Sequence, residues 1–171
     1  QPRSRGLGDV YKRQVAEKLK LGTFSVFRDR QISKRLTTSG DENGHLWVLK
    51  AKNINDDGSG VTHIEGYDVY IDETVASSLS AYKYVGNKAV YLTPNMTYNP
   101  RIIENFDGVI CDGSVAILIP KDGLTLTKRQ RAYFSSEEFR SYYKIARNLS
   151  TQSINVDRTS VFYYGVLEDG N

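Results

Sequence analysis

Residues 108–120 read GVICDGSVAILIP, two apolar runs broken by Asp112-Gly113. Asp-Gly between apolar runs is the strongest short-range hairpin signal, because both residues tolerate the positive φ angles of a type I′ turn. Gly108–Cys111 and Ser114–Ile119 are therefore expected to be paired strands. Val115–Pro120 is also the longest apolar stretch of the chain. It suits a buried strand and falls far short of the roughly 20 residues that cross a bilayer, so no membrane partner is expected.

Further strand signals lie upstream: Thr23–Phe27 (TFSVF), Leu46–Lys50 (LWVLK), Tyr67–Ile71 (YDVYI) and Ala89–Leu92 (AVYL). They are separated by turn-rich loops at residues 37–44 (TTSGDENG) and 55–60 (NDDGSG). Val15–Leu21 (VAEKLKL) has helix-compatible spacing stopped by Gly22, and Glu73–Ala81 reads as a short helix. Thr93–Arg101 (TPNMTYNPR), with two prolines and two asparagines, reads as an irregular exposed loop. The clearest helix comes later. Ser135 with Glu138 forms a capping box, and Phe139, Tyr142, Tyr143 and Ala146 at i, i+3, i+4 and i+7 form a core-facing stripe. The opposite face, Arg140, Ser141, Lys144 and Arg147, reads as solvated surface. The helix should end near Asn148, and a polar loop then leads to a closing strand at Val161–Leu167 (VFYYGVL). The sum is an α+β fold: a single mixed domain with a twisted, strand-rich sheet and a few helices.

A chain of 171 residues accommodates one domain with a real core. Apolar residues at 39% and charged residues at 25% describe an ordinary globular protein. The net charge of +3 is less informative than it looks. Residues 1–14 hold Arg3, Arg5, Lys12 and Arg13 against Asp9, a surplus equal to that of the whole chain, so the remainder is neutral. That leader has the look of a translated sequencing adapter and is set aside as non-native, the alternative being a flexible basic arm. The domain is then 15–171, and any nucleic-acid face must come from local clustering.

The chemistry-bearing motifs of several enzyme classes are missing. An amino-methyltransferase needs an Asn/Asp-Pro-Pro-aromatic turn and a Gly-rich loop for its methyl donor. Thr93-Pro94-Asn95-Met96 and Tyr98-Asn99-Pro100-Arg101 each lack the second proline and the aromatic. The Glu-x-Lys or Asp-x-Lys triplet of metal-dependent nucleases, the P-loop and the nucleophile elbow are absent too. Asp56 and Asp57 read as turn formers. The single cysteine, Cys111, lies in an apolar run and reads as a buried thiol, while His45 and His63 have no zinc-type spacing.

What remains is a concentration of side chains able to contact phosphates and base edges in three loops. The first is Arg28, Arg30, Gln31, Lys34 and Arg35, with Lys50, Lys52 and Asn53 as possible companions. The second is Tyr98, Asn99 and Arg101, and the third Arg147, Ser150, Thr151, Gln152, Ser153 and Asn155. Ser153 and Asn155 serve equally well as loop caps through backbone hydrogen bonds.

The ordered strings LGTFSVFRDRQISKR, VLKAKNI, VYLTPNMTYNPRIIENFDGVICDGSVAILIPK and YFSSEEFRSYYKIARNLSTQSINVDRTSVFYYGVL resemble the target-recognition domain of bacterial restriction-modification proteins. The similarity is to adenine-specific DNA methyltransferases of type II systems and, more loosely, to type I specificity subunits. The resemblance implies a cytoplasmic, non-catalytic module that docks on double-stranded DNA. A separate methyltransferase domain or subunit, using S-adenosylmethionine, would flip and modify adenine. It further implies that Arg28, Lys34, Arg101 and Arg147 anchor phosphates, and that Gln31, Asn99, Gln152 and Asn155 read base edges. This chain carries no cofactor motif of its own and so resembles a fragment of a larger protein. Two alternatives stand beside that reading: part of a fused endonuclease and methyltransferase that contributes to cleavage, or a protein-docking domain using VFYYGVL as its edge.

Overall fold

The two apolar runs around Asp112-Gly113 form strands, but they part at the turn and enter different sheets. The computed structural model describes residues 10–96, 98–150 and 156–168. Its strands are β1 (Leu19–Lys20), β2 (Phe24–Arg28), β3 (His45–Leu49), β4 (Val69–Asp72), β5 (Tyr91–Pro94), β6 (Ile103–Glu104), β7 (Val109–Cys111), β8 (Val115–Pro120) and β9 (Val166–Leu167). Besides a helical segment at residues 10–16, it has the helices α1 (Glu73–Ala76), α2 (Lys128–Tyr133) and α3 (Glu137–Ser150). An antiparallel sheet has the order β2-β8-β5-β6, a second sheet the order β4-β3-β7, and β1 pairs with β9.

The expected hairpin fails for a physical reason. β8 is flanked on both edges, with Val26 opposite Leu118 on β2 and Leu92 opposite Ile117 on β5, while β7 runs parallel to β3 with Trp47 opposite Val109. Asp112 does make a tight turn, its carboxylate accepting from the Ser114 N–H at 2.9 Å. Gly113 is needed there for space and not for a positive φ: a Cβ would stand 2.7 Å from the Asp29 carbonyl oxygen.

The core is layered by strand alternation. Ala116 and Leu118 face a cluster with Phe24, Phe134 and α3, whereas Val115 and Ile117 face Trp47, Leu49, Val109 and Cys111 of the other sheet. The far side of that sheet presents Leu46, Val48 and Ile110 to Ala76 and Ala81. A run that reads as continuously apolar is thus two alternating faces, both buried. All four stripe residues of α3 are buried, and Phe139 packs edge-on to Phe134 with ring centroids 4.8 Å apart. Each such side chain contributes about 1.5–3 kcal/mol of burial.

Several boundaries differ from those expected. Residues 10–16 are helical, but Leu19 lies in a strand opposite Leu167, so the helix does not reach Leu21. Gly165 explains the override, because a Cβ there would meet Leu19 and Leu21 at 2.7 Å, an approach only glycine permits. Tyr11, within the segment set aside as a leader, packs against the core and donates to the Glu138 carbonyl at 3.3 Å. The cap of α3 is Ser136, whose hydroxyl accepts from the Phe139 N–H at 3.1 Å; Glu138 instead accepts from Tyr133 at 2.5 Å and Lys18 at 3.2 Å. The expected helix at 73–81 splits into α1 and a 3-10 turn at Ser80–Tyr84. VFYYGVL is no continuous strand: Asp157 caps a 3-10 turn at Ser160–Tyr163, and only β9 extends, paired with β1. It offers no free seven-residue edge for a partner.

Candidate nucleic-acid interface

Three strand ends meet at one end of the four-stranded sheet. Arg28 closes β2 opposite Ala116, and Pro94 closes β5 opposite Val115, where β8 begins. The first and second polar loops therefore leave from the same place. The Asn95 N–H donates to the Ser114 carbonyl at 2.7 Å, and the Asn95 carbonyl accepts from the Val156 N–H at 2.9 Å. That second bond fastens the chain returning from α3 to the same spot. The end of β3 arrives as well, the Ala51 N–H donating to the Ser114 hydroxyl at 2.9 Å. Arg28, Ala51, Asn95, Met96 and Ser114 together line a cleft of about 370 Å³.

The course of the first loop is fixed by Asp29, which is buried and accepts from the N–H groups of Gln31 at 3.1 Å and Ile32 at 2.8 Å. Arg28 is half-buried, while Arg30, Gln31, Lys34 and Arg35 are exposed. The Gln31 amide oxygen accepts from the Ser80 N–H at 2.8 Å, which ties the first loop to the turn at Ser80. Lys50 and Lys52 both lie over the Tyr67 ring, at 4.1 and 5.3 Å from its centroid, and Lys52 is exposed.

Asn53 is a correction. It has no exposed surface, accepts from the Lys50 N–H at 3.1 Å, and donates to the Thr62 carbonyl and the Asp68 carboxylate at 3.1 and 2.8 Å. Its amide is committed to holding residues 50–68 together and is not presented to a ligand. Burial opposes ionisation of Asp68, but hydrogen bonds from Asn53, the Ile64 N–H and His63 outweigh it and hold the carboxyl below its ordinary range.

Among its described residues the second loop is exposed at Met96, Tyr98 and Asn99, whereas Thr93, Pro94, Asn95, Pro100 and Arg101 are buried. Arg101 is the second correction. Its guanidinium donates to the carbonyls of Asn99 and Ile54, both at 2.9 Å, and lies 3.6 Å from Asp56. It clamps one loop to another from inside. Thr93 extends the tie to the core, donating to the Arg101 carbonyl at 2.7 Å and meeting the Tyr164 hydroxyl at 2.9 Å.

Arg147 is the third correction, because the expected solvated face of α3 ends in a buried arginine, 4% exposed. Its guanidinium stands 5.7 Å from the Tyr98 ring centroid and 5.9 Å from that of Tyr143. The structure thus joins the second loop to α3 through this stack. Arg140 adds to it, donating to the Asn99 side chain at 3.1 Å. Tyr98, Asn99, Arg140, Lys144 and Arg147 line a cleft of about 420 Å³. Arg140 and Lys144 read as plain surface in the sequence, yet with Arg147 they fall at i, i+4 and i+7, a spacing that puts them on one helix face. Ser150 ends α3, and Thr151, Gln152, Ser153 and Asn155 lie outside the described residues.

Among the described residues, no group of three His, Cys, Asp or Glu side chains is placed to hold a metal ion. Cys111 is buried, and burial pushes its thiol pKa up. No described helix is long and apolar enough to cross a membrane. No protein-family model matches the chain, and no curated protein is similar to it above the level of chance.

Proposed function

We propose that this chain is the DNA target-recognition module of a restriction-modification system. It binds a short duplex sequence and directs an adenine methyltransferase domain or subunit, which supplies S-adenosylmethionine chemistry, to that site. The module itself catalyses nothing. The observation that carries the reading is the gathering, at one end of the four-stranded sheet, of the roots of the first two polar loops and of Val156, which follows the third in sequence. With the domain's charge balanced overall, a cationic face exists only where basic residues cluster. Arg28 stands at that end, Arg30, Lys34 and Arg35 follow on the loop leaving it, and Arg140 and Lys144 stand exposed on the neighbouring helix face. Loops on a rigid sheet end suit recognition, because the scaffold fixes their roots while their tips meet the ligand.

The test is selection from a randomised duplex pool at low salt, with the methyltransferase half present, followed by salt titration. Enrichment of one short sequence is expected, with affinity falling steeply as salt rises. Recovery of no preferred sequence at any salt concentration would end the proposal.

A further inference from the structure

We infer that Tyr98 is a stacking platform for a nucleobase turned out of its duplex, with Arg140 and Lys144 taking the adjoining phosphate; the inference rests on the DNA-recognition reading above. Tyr98 is 67% exposed, the highest value of any large apolar side chain among the described residues. The chain that follows it is nonetheless anchored. Arg101 holds the Asn99 carbonyl, Arg140 holds the Asn99 side chain, and Pro100 is buried. An aromatic ring kept open on an anchored loop does little for folding, since its burial is forgone.

The ring has two distinct faces. The Arg147 guanidinium stands over one, 5.7 Å from the centroid. A cation on one face draws π density toward itself, which makes the other face a better partner for an electron-rich base. That platform forms one wall of the 420 Å³ cleft, a volume that accommodates a single nucleotide unit. Arg140 and Lys144, one helical turn apart on α3, supply two cations at the same cleft for the phosphate. Stacking on an aromatic is indifferent to base identity, so the device complements the loops that read sequence.

Turning out a base is least costly where it is already unpaired. The probes are a fluorescein-labelled randomised 24-base-pair duplex and the same duplex with a three-base bulge, measured by anisotropy at low salt. The bulged probe should bind roughly 5- to 150-fold tighter, the span that one base–aromatic stack carries. Tyr98→Phe should keep that preference and Tyr98→Ala should abolish it. Arg140→Gln combined with Lys144→Gln should weaken both probes together. A bulge preference that is absent, or that survives in Tyr98→Ala, overturns the inference while leaving duplex recognition standing. Failure of the unaltered chain to bind either probe overturns both.

Discussion

Arg101→Leu keeps a long side chain between residues 51–56 and 98–101 but removes every donor it supplies there. The bonds lost include two at 2.9 Å among the described residues, to the Asn99 and Ile54 carbonyls. A third, to the Ala51 carbonyl at 3.5 Å, is too long to matter much, and Asp56 is 87% exposed, so that ion pair adds little. Bonds from a charged donor contribute about 1.5–3 kcal/mol each, and leucine recovers part of the apolar burial, so the net loss is about 3 kcal/mol. For a chain of this size that lowers the Tm by about 6–12 °C. Thermal unfolding by circular dichroism measures the loss, and duplex binding well below both midpoints, across a salt series, measures the interface. An internal clamp predicts a lower Tm with an unchanged salt slope. A Tm within about 1 °C of the parent, with the slope shallower by about one, would mean that Arg101 is a phosphate anchor and that the clamp is misassigned.

Gly113→Ala sets a Cβ 2.7 Å from the Asp29 carbonyl oxygen and should cost about 1–3 kcal/mol in urea unfolding; an unchanged midpoint would refute the close approach of the β7–β8 turn to the first loop. Asp68, held below the ordinary carboxyl range, contributes stability that is fully present above its unfolded-state pKa and drains as pH falls through its folded one. Urea midpoints should therefore drop more steeply on acidification for the parent than for Asp68→Asn, and parallel curves would remove Asp68 from the acid limb. Lys144→Ala should weaken all duplex sequences equally and reduce the salt slope by about one, whereas loss confined to particular sequences would make it a base reader.

Local chemistry was the legible part of this chain. The α3 stripe at Phe139, Tyr142, Tyr143 and Ala146 follows from helical geometry alone, and all four side chains are buried. The run at Val115–Pro120 reads as a buried strand, which it is along Val115–Leu118, yet nothing in it names its neighbours. Pairing with β2 and β5 is decided by residues far away in sequence. The same limit applies to Asn53, Arg101 and Arg147. Their residue types read as surface, but backbone carbonyls, a carboxylate and two tyrosine rings brought by folding determine where they sit. Arg140 and Lys144 read as plain surface for the converse reason, since Tyr98 and Asn99 face them only after the loop and the helix are assembled.

The parting of β7 and β8 also bears on how the domain forms. Cys111 completes a ladder begun at Trp47, and Val115, opposite Pro94, starts the strand whose last residue, Pro120, lies opposite Phe24, with only residues 112–114 between them. The three-stranded sheet lacks its last strand until Cys111 has been made, and the four-stranded sheet until Pro120. Long-range pairings of this kind carry the entropy of closing large loops before any contact rewards them, which slows folding. The corner at 112–114 belongs to both ladders, so opening one sheet pulls directly on the other. Hydrogen exchange should then find the amides of β3, β7 and β8 released together, as one unit.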